Sequence, residues 1–77
     1  MRAIIQRVNS STLRIDNHIH SHINRGLLVL LGITHDDTQA DIEWLAAKTT
    51  SMRIFSDSEG KMNLSVKDID GEIMIVS

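Results

Sequence analysis

The first part of the chain alternates apolar and polar residues over short stretches, a pattern that is typical of β-strands. We predict four strands, over residues 1–8, 12–16, 18–23 and 27–31, separated by polar or glycine-containing breaks. The fourth strand is apolar at every position and is followed by Gly32. Four successive strands with short turns predict an antiparallel meander or the wall of a barrel.

One stretch has helical rather than alternating spacing, and we predict a single main helix over about residues 38–52. Its apolar residues recur three or four positions apart and make one stripe: Ile42, Leu45, Ala46, Thr49 and Met52. Thr38 can cap the helix, and Asp41 can complete a capping box. Trp44 lies about 200° around the helix from Ile42. We expect it at the surface, the alternative being a contact with something outside this chain.

The final 26 residues predict a strand, a turn, an extended run, a second turn and a last strand over residues 73–76. That last strand is apolar at four consecutive positions, so it should be covered on both faces and paired along its edges. A domain rarely ends on such an element. We therefore expect the sequence to be half of a longer protein.

Length and composition also indicate that these residues need further polypeptide to form a stable domain. Seventy-seven residues make one domain at most. Ordering them costs on the order of 100 kcal/mol of conformational entropy, close to what apolar burial can return. There is no cysteine for a disulfide, and only Trp44 and Phe55 are aromatic. Help from a partner chain or from further sequence is expected on these grounds.

Charge and hydropathy narrow the class of function. The formal net charge of −2 argues against broad, non-specific nucleic-acid binding, but leaves room for an RNA end held in a shaped pocket. No signal-like stretch opens the chain, and the longest apolar run is too short to span a bilayer. The lack of cysteine fits a reducing compartment. We predict a soluble, cytoplasmic protein with no membrane partner.

Three histidines, His18, His20 and His22, alternate along the third predicted strand and would share one face. The outer two would lie about 13 Å apart, so all three could not converge on a metal, although two could share one. We predict an exposed polar face and no metal site. We interpret residues 35–37 as a polar loop with acidic residues before the helix, the alternative being a metal-binding dyad. We interpret residues 57–61 as a plain turn, since they fit neither a phosphate loop nor a calcium loop.

No serine lies in a nucleophile motif, and no Ser-His-Asp set can be placed. Arg7 is a candidate for a charged side chain that faces inward, because it falls on the same side of the first strand as the apolar residues Ala3 and Ile5. An inward arginine needs partners, since burying an unpaired charge is costly. The alternative is a strand-end arginine that reaches solvent.

Several stretches resemble the D-aminoacyl-tRNA deacylases, once called D-tyrosyl-tRNA deacylases. The most specific is Gly-Lys-Met-Asn-Leu at residues 60–64, preceded by Met-Arg-Ile-Phe at 52–55 and followed by Ile-Val-Ser at 75–77. Residues 1–8 and 26–33 are similar to the family's first and fourth strands. The resemblance covers all 77 residues and corresponds to the N-terminal half of a family chain. It implies one partial domain over residues 1–77, of α+β class, with an antiparallel, barrel-like sheet that is incomplete relative to the family fold.

The resemblance also implies an activity. Family members are cofactor-free homodimers that hydrolyse the ester joining a D-amino acid to the 3′ end of a tRNA, and that clear mischarged glycine. A cross-subunit Gly-Pro dipeptide with a cis bond excludes L side chains, backbone N–H groups meet the oxyanion, and the 2′-hydroxyl of the tRNA assists. This is chiral proofreading in translation quality control.

Two residues carry over as candidate site residues. Ser77 matches the first residue of the family's Ser-Gln-x-x-Thr segment, whose remainder this sequence does not contain, and Arg7 matches the arginine that orients the Gly-Pro dipeptide. The sequence has no proline. We therefore expect the 77 residues alone to be inactive. The alternative is a small, non-catalytic β-rich module that dimerises through its strand edges.

Overall fold

A computed structural model describes residues 1–77 and shows seven strands and one helix. The order along the chain is β1 (Arg2–Val8), β2 (Ser11–Ile15), β3 (His18–Ile23), β4 (Gly26–Gly32), α1 (Gln39–Ser51), β5 (Phe55–Ser56), β6 (Met62–Leu64) and β7 (Glu72–Val76). The strands pair mostly antiparallel, and the fold is of the predicted α+β class.

The main sheet has three strands in the order β1-β4-β7. β1 and β4 are antiparallel, and Ile4 lies opposite Leu30, whereas β4 and β7 are parallel, and Leu30 lies opposite Val76. The predicted meander of four consecutive strands is therefore wrong. β4 pairs with β1 along one edge and with β7, from the C-terminal end of the chain, along the other.

β2 and β3 form a separate hairpin instead of continuing the sheet. Its two-residue turn is made by Asp16 and Asn17, which have φ angles of 51° and 66°. Positive φ at both turn positions matches the right-handed twist of the flanking strands, and Asp and Asn tolerate it well. Further along, the register shifts at Leu13, and His20 has no partner residue across the hairpin.

The helix matches its predicted bounds. Thr38 is the N-cap, and its side chain and that of Asp41 form the expected capping box. Met52 is the C-cap, and its N–H donates to the carbonyl of Lys48. Trp44 is 66% exposed, as its place off the apolar stripe predicted. The helix is thus stabilised at both ends by its own residues.

A small core lies on the face of the main sheet that carries the odd-numbered residues of β4. Leu27 is fully buried, and Val29, Phe55 and Val66 pack with it. Phe55 comes from the short β5–β6 pair. These two strands are shorter than the strand and the extended run that the sequence predicts at the start of the final 26 residues. On the opposite face the hairpin covers Met74, to whose sulfur the Ser11 hydroxyl donates at 3.6 Å.

The last strand is covered less well than its sequence predicts. Met74 is buried, but Ile75 is 62% exposed, and β7 is paired only with β4, so its other edge is free. β4 and β7 approach closely where β4 begins. A Cβ atom added to Gly26 would lie 1.8 Å from the carbonyl oxygen of Glu72, so no side chain fits there.

We expect Gly26→Ala to lower the free energy of unfolding by at least about 2 kcal/mol, because β4 and β7 would have to separate at this point. Urea unfolding followed by circular dichroism measures the change. Gly32→Ala is the matched control at the other end of β4, where the nearest atom to the added Cβ would lie 3.7 Å away. Equal effects of the two substitutions would contradict the close approach.

Candidate functional site

Ser77 lies directly after β7, at the edge of the main sheet. It is exposed, and it lines a shallow, mostly apolar hollow of about 360 Å³ together with Ile4, Leu30 and Val76. Arg2 borders the same hollow. Ser77 as a whole is accessible to solvent, and the only cationic side chain in this hollow is that of Arg2.

Arg7 lies in a second, polar hollow of about 240 Å³. Its guanidinium donates a hydrogen bond to the carbonyl oxygen of Ile54 at 2.9 Å. This bond holds the side chain across the edge of the core. The residue as a whole is exposed. Both interpretations offered by the sequence are thus partly realised, because the side chain has a protein partner and still reaches solvent.

Arg25 borders the hollow of Arg7, and no pattern in the sequence indicated it. Its guanidinium carbon lies 5.4 Å from the centroid of the Phe55 ring, a cation–π distance. Neither Arg7 nor Arg25 is within ion-pair distance of a carboxylate. The hollow therefore carries two positive charges that no acidic side chain neutralises, in a protein whose net charge is negative.

Ser77 and Arg7 are not brought together within one chain. The register places Ser77 level with Ala3, four residues along β1 from Arg7, and β4 lies between the two strands. At the usual spacings this is about 13 Å along the strands and about 10 Å across the sheet. A group held by Arg7 therefore cannot reach Ser77 of the same chain without spanning the sheet.

The three histidines do not share one face, and that prediction is wrong. Thr12 lies opposite His22 and Ile15 lies opposite His18, so the bulge at His20 places the outer two histidines on different faces. The Nδ1 atom of His22 is 2.8 Å from the hydroxyl of Thr12. No three histidine or acidic side chains in the chain are placed to hold a metal ion.

The two acidic loops have structural roles. The Asp57 carboxylate accepts hydrogen bonds from the N–H groups of Lys61, at 3.0 Å, and Glu59, at 2.8 Å, and Gly60 supplies a φ of +80°. These bonds, that from Lys61 above all, lower the pKa of Asp57. Residues 57–61 are thus the plain turn that the sequence predicted.

Asp37 has a partner that the sequence did not indicate. Its carboxylate accepts from the terminal ammonium group of Met1 at 2.6 Å and from the N–H of Thr34 at 2.6 Å. The ammonium group is the main cause of the lowered pKa of Asp37, and the Thr34 bond adds to it. This ion pair joins the start of β1 to the loop that precedes α1.

The helix α1 is neither long nor apolar enough to cross a membrane.

Comparison with known proteins identifies the family. The family model described as D-Tyr-tRNA(Tyr) deacylase matches residues 4–77. Over all 77 residues the chain is 56% identical to the D-aminoacyl-tRNA deacylase of Opitutus terrae and 52% identical to that of Thermotoga petrophila. It covers 51% and 52% of these relatives, so it spans about half of their length. The chain belongs to the D-Tyr-tRNA(Tyr) deacylase family.

A solved structure shares the fold. The c-Myc DNA Unwinding Element Binding Protein superimposes with a TM-score of 0.93 and is 38% identical in sequence. The match covers 97% of this chain and 51% of that one. The arrangement of the helix, the hairpin and the main sheet described above is therefore also found within a chain of about twice the length.

We expect Asp37→Asn to lower the free energy of unfolding at neutral pH. The folded-state pKa of Asp37 lies below the ordinary value of 3.8, so its contribution is fully present above that pH and is lost as the pH falls through the folded-state pKa. Urea unfolding at pH 7 and at pH 3 should therefore show a difference from the unsubstituted chain that shrinks in acid.

Asp36→Asn is the control, because Asp36 is exposed and makes no hydrogen bond or ion pair in the structure. It should leave the free energy of unfolding at pH 7 within about 0.5 kcal/mol of that of the unsubstituted chain. A difference between Asp37→Asn and the unsubstituted chain that persists undiminished at pH 3 would show that the carboxylate charge does not matter.

Proposed function

We propose that this chain is part of an enzyme that hydrolyses the ester joining a D-amino acid to the 3′ end of a tRNA, and that also removes mischarged glycine. Membership of the family carries the proposal, since the match runs through residues 4–77 and the relatives from three organisms are each named D-aminoacyl-tRNA deacylase. The proposed substrate places the enzyme in the cytoplasm, and the chemistry needs no cofactor.

Residues 1–77 make up one partial domain in this proposal, equivalent to the N-terminal half of the family's domain. The share of the relatives that the chain covers, 51–52%, supports this division. So does the incomplete cover of β7, whose residues Ile73–Val76 are apolar throughout while Ile75 remains exposed. The remainder of the relatives' length would complete the domain.

Ser77 opens the active-site segment. Its position at the end of a paired strand gives its backbone a direction set by the main sheet, and donors that are oriented before the substrate arrives stabilise an oxyanion best. The Gln and Thr of the Ser-Gln-x-x-Thr segment would follow Ser77. With the 2′-hydroxyl of the tRNA assisting, the ester is hydrolysed without a side-chain triad, and the sequence contains no recognisable one.

Arg7 orients the Gly-Pro dipeptide that excludes L side chains. The distance between Arg7 and Ser77 supports a homodimer in which the dipeptide held by one subunit reaches the Ser77 site of its partner. Within one chain the two residues lie at opposite ends of the sheet, so an arrangement within one subunit would have to span it. Arg7 has donors to spare, because its bond to Ile54 uses one of five N–H groups.

The competing proposal is a β-rich module that dimerises without catalysis. The free edges of β1 and β7 and the exposed side chains of Ile4 and Leu30 favour self-association. This proposal requires a dimer of the 77 residues and no hydrolysis once the domain is completed.

We expect the 77-residue chain alone to hydrolyse D-tyrosyl-tRNA no faster than buffer does, because it has neither the Gln and Thr after Ser77 nor any proline. A chimaera that joins it to the unmatched half of the Opitutus terrae relative should hydrolyse D-tyrosyl-tRNA and spare L-tyrosyl-tRNA. Release of labelled amino acid measures both. A folded chimaera that cleaves neither ester would count against the enzyme, and a dimer of the 77-residue chain found together with that result would favour the dimerisation module.

In the active chimaera we expect Arg7→Ala to weaken chiral discrimination, since an unoriented Gly-Pro wall no longer excludes the L side chain. The ratio of kcat/KM values for the D and L esters should fall by about tenfold or more, which is the effect of about 1.4 kcal/mol. Arg14→Ala, at an exposed arginine on β2, is the control. An unchanged ratio in Arg7→Ala would refute the role given to Arg7.

A further inference from the structure

The hollow that Arg7 and Arg25 share, which we name the arginine hollow, lies at one end of the core face of the main sheet. Arg7 lies opposite Leu27 in the pairing of β1 with β4, and Arg25 comes two residues before Leu27. The residues that line the hollow are Arg7, Val8, Asn9, Arg25, Phe55 and Ser56. None of them is acidic, so the hollow is suited to an anionic group.

A neighbouring acidic residue does not neutralise the charge of Arg25. The N–H of Glu72 donates to the carbonyl oxygen of Arg25 at 3.1 Å, so the two residues are joined through the backbone. The carboxylate of Glu72 instead accepts from the N–H of Asn24 at 3.0 Å, and it is not within ion-pair distance of Arg25. The exposed Arg25 can therefore bind an anion without first breaking an ion pair.

Both guanidinium groups are held in place while most of their donors stay available. The bond from Arg7 to Ile54 uses one of five N–H groups. The contact of Arg25 with the Phe55 ring orients its guanidinium without giving it a hydrogen-bond acceptor. Side chains that are ordered beforehand lose less conformational entropy when a ligand binds. The planar guanidinium group also matches the oxygen atoms of a phosphate in geometry.

The size and lining of the arginine hollow favour a phosphate group over a nucleobase. Its volume is about 240 Å³, below the roughly 300 Å³ at which pockets for whole small molecules begin. The bases of single-stranded RNA are commonly held by stacking on exposed aromatic rings. Phe55 is only 3% exposed, and Arg25 lies over its ring, so no base can stack there.

We propose that the arginine hollow binds a phosphate group of the single-stranded 3′ end of the tRNA, and that Arg25 makes this contact beside Arg7. The identity of the RNA rests on the proposed function. In the proposed homodimer the dipeptide at Arg7 reaches the Ser77 site of the partner subunit, so the hollow lies beside the nucleotides that lead to the ester. A contact with so few phosphates agrees with the net charge of −2.

Binding of a short RNA tests the proposal without hydrolysis. The probe is a single-stranded oligonucleotide that ends in CCA, and its control has the same sequence on an uncharged methylphosphonate backbone. Fluorescence anisotropy on the 77-residue chain and on the chimaera should show that the charged oligonucleotide binds about tenfold more tightly or better. Equal binding of the two oligonucleotides would overturn the proposal. So would inorganic phosphate that binds as tightly as the charged oligonucleotide, because a free anion would then be the ligand.

Arg25→Met removes the positive charge and keeps an unbranched apolar side chain over Phe55. We expect it to weaken binding of the charged oligonucleotide about tenfold. The slope of log Kd against log salt concentration should also fall by about 0.7, the value for one phosphate contact on a single strand. Arg25→Lys should keep the slope, because its charge remains, and Arg14→Met, at an exposed arginine on β2, is the matched control.

The salt dependence separates a phosphate contact from a structural role of Arg25. Loss of packing over Phe55 would lower the affinity without altering the slope. An unchanged slope in Arg25→Met, or the same loss of slope in Arg14→Met, would therefore overturn the proposal.

Kinetics on the active chimaera separate this inference from the proposed function. Arg25→Met should raise KM for D-tyrosyl-tRNA and leave kcat within about twofold, because a phosphate contact contributes equally before and during the reaction. The ratio of kcat/KM values for the D and L esters, which Arg7→Ala lowers, should not change. A fall of that ratio in Arg25→Met would overturn the proposal, because Arg25 would then act on the dipeptide.

The two proposals can also fail separately. A chimaera that cleaves neither ester, yet binds the charged oligonucleotide through Arg25, would contradict the hydrolase and retain the phosphate site. A chimaera that hydrolyses D-tyrosyl-tRNA with the same KM and salt dependence in Arg25→Met would retain the hydrolase and contradict the phosphate site.

Discussion

The placement of β4 between an antiparallel and a parallel neighbour is the constraint on which the rest of the structure depends. β4 is the only strand of the main sheet with both edges paired, and it contributes Leu27, the one fully buried side chain. Its first residue must be Gly26 for β7 to come close enough to pair. The core, the covered face of Met74 and the position of Ser77 all follow from that pairing.

Local features of the fold could be predicted from the sequence. The bounds and caps of α1 followed from Thr38, Asp41 and the apolar stripe, and β7 followed from four consecutive apolar residues. The pairing of β1 with β4 could not be predicted, because alternation of apolar residues identifies a strand without naming its neighbour. Consecutive strands usually pair, and here the hairpin of β2 and β3 is displaced onto the other face.

The features of the candidate site also fall into those that the sequence indicated and those that only the tertiary structure brings together. Ser77 was singled out by resemblance alone, whereas Arg7 was singled out first by its position on the inward side of the first strand and then by resemblance. The position of Arg25 over Phe55 and the bond from Met1 to Asp37 both join distant parts of the chain, so no local pattern indicates them. The histidines failed as a shared face for a different reason, since one bulged residue reverses the alternation that the argument assumed.

The parallel pairing of β4 with β7 has a consequence for how the chain folds. The hairpin closes over a two-residue turn, whereas the contact between Asn24 and Glu72 joins residues 48 positions apart, and that between Ser11 and Met74 joins residues 63 apart. Loop-closure entropy must be overcome before such distant contacts return any stabilisation, so high contact order slows folding. On a ribosome β4 is therefore synthesised well before its parallel partner, and a nascent chain passes through a stage in which one edge of its central strand is bare.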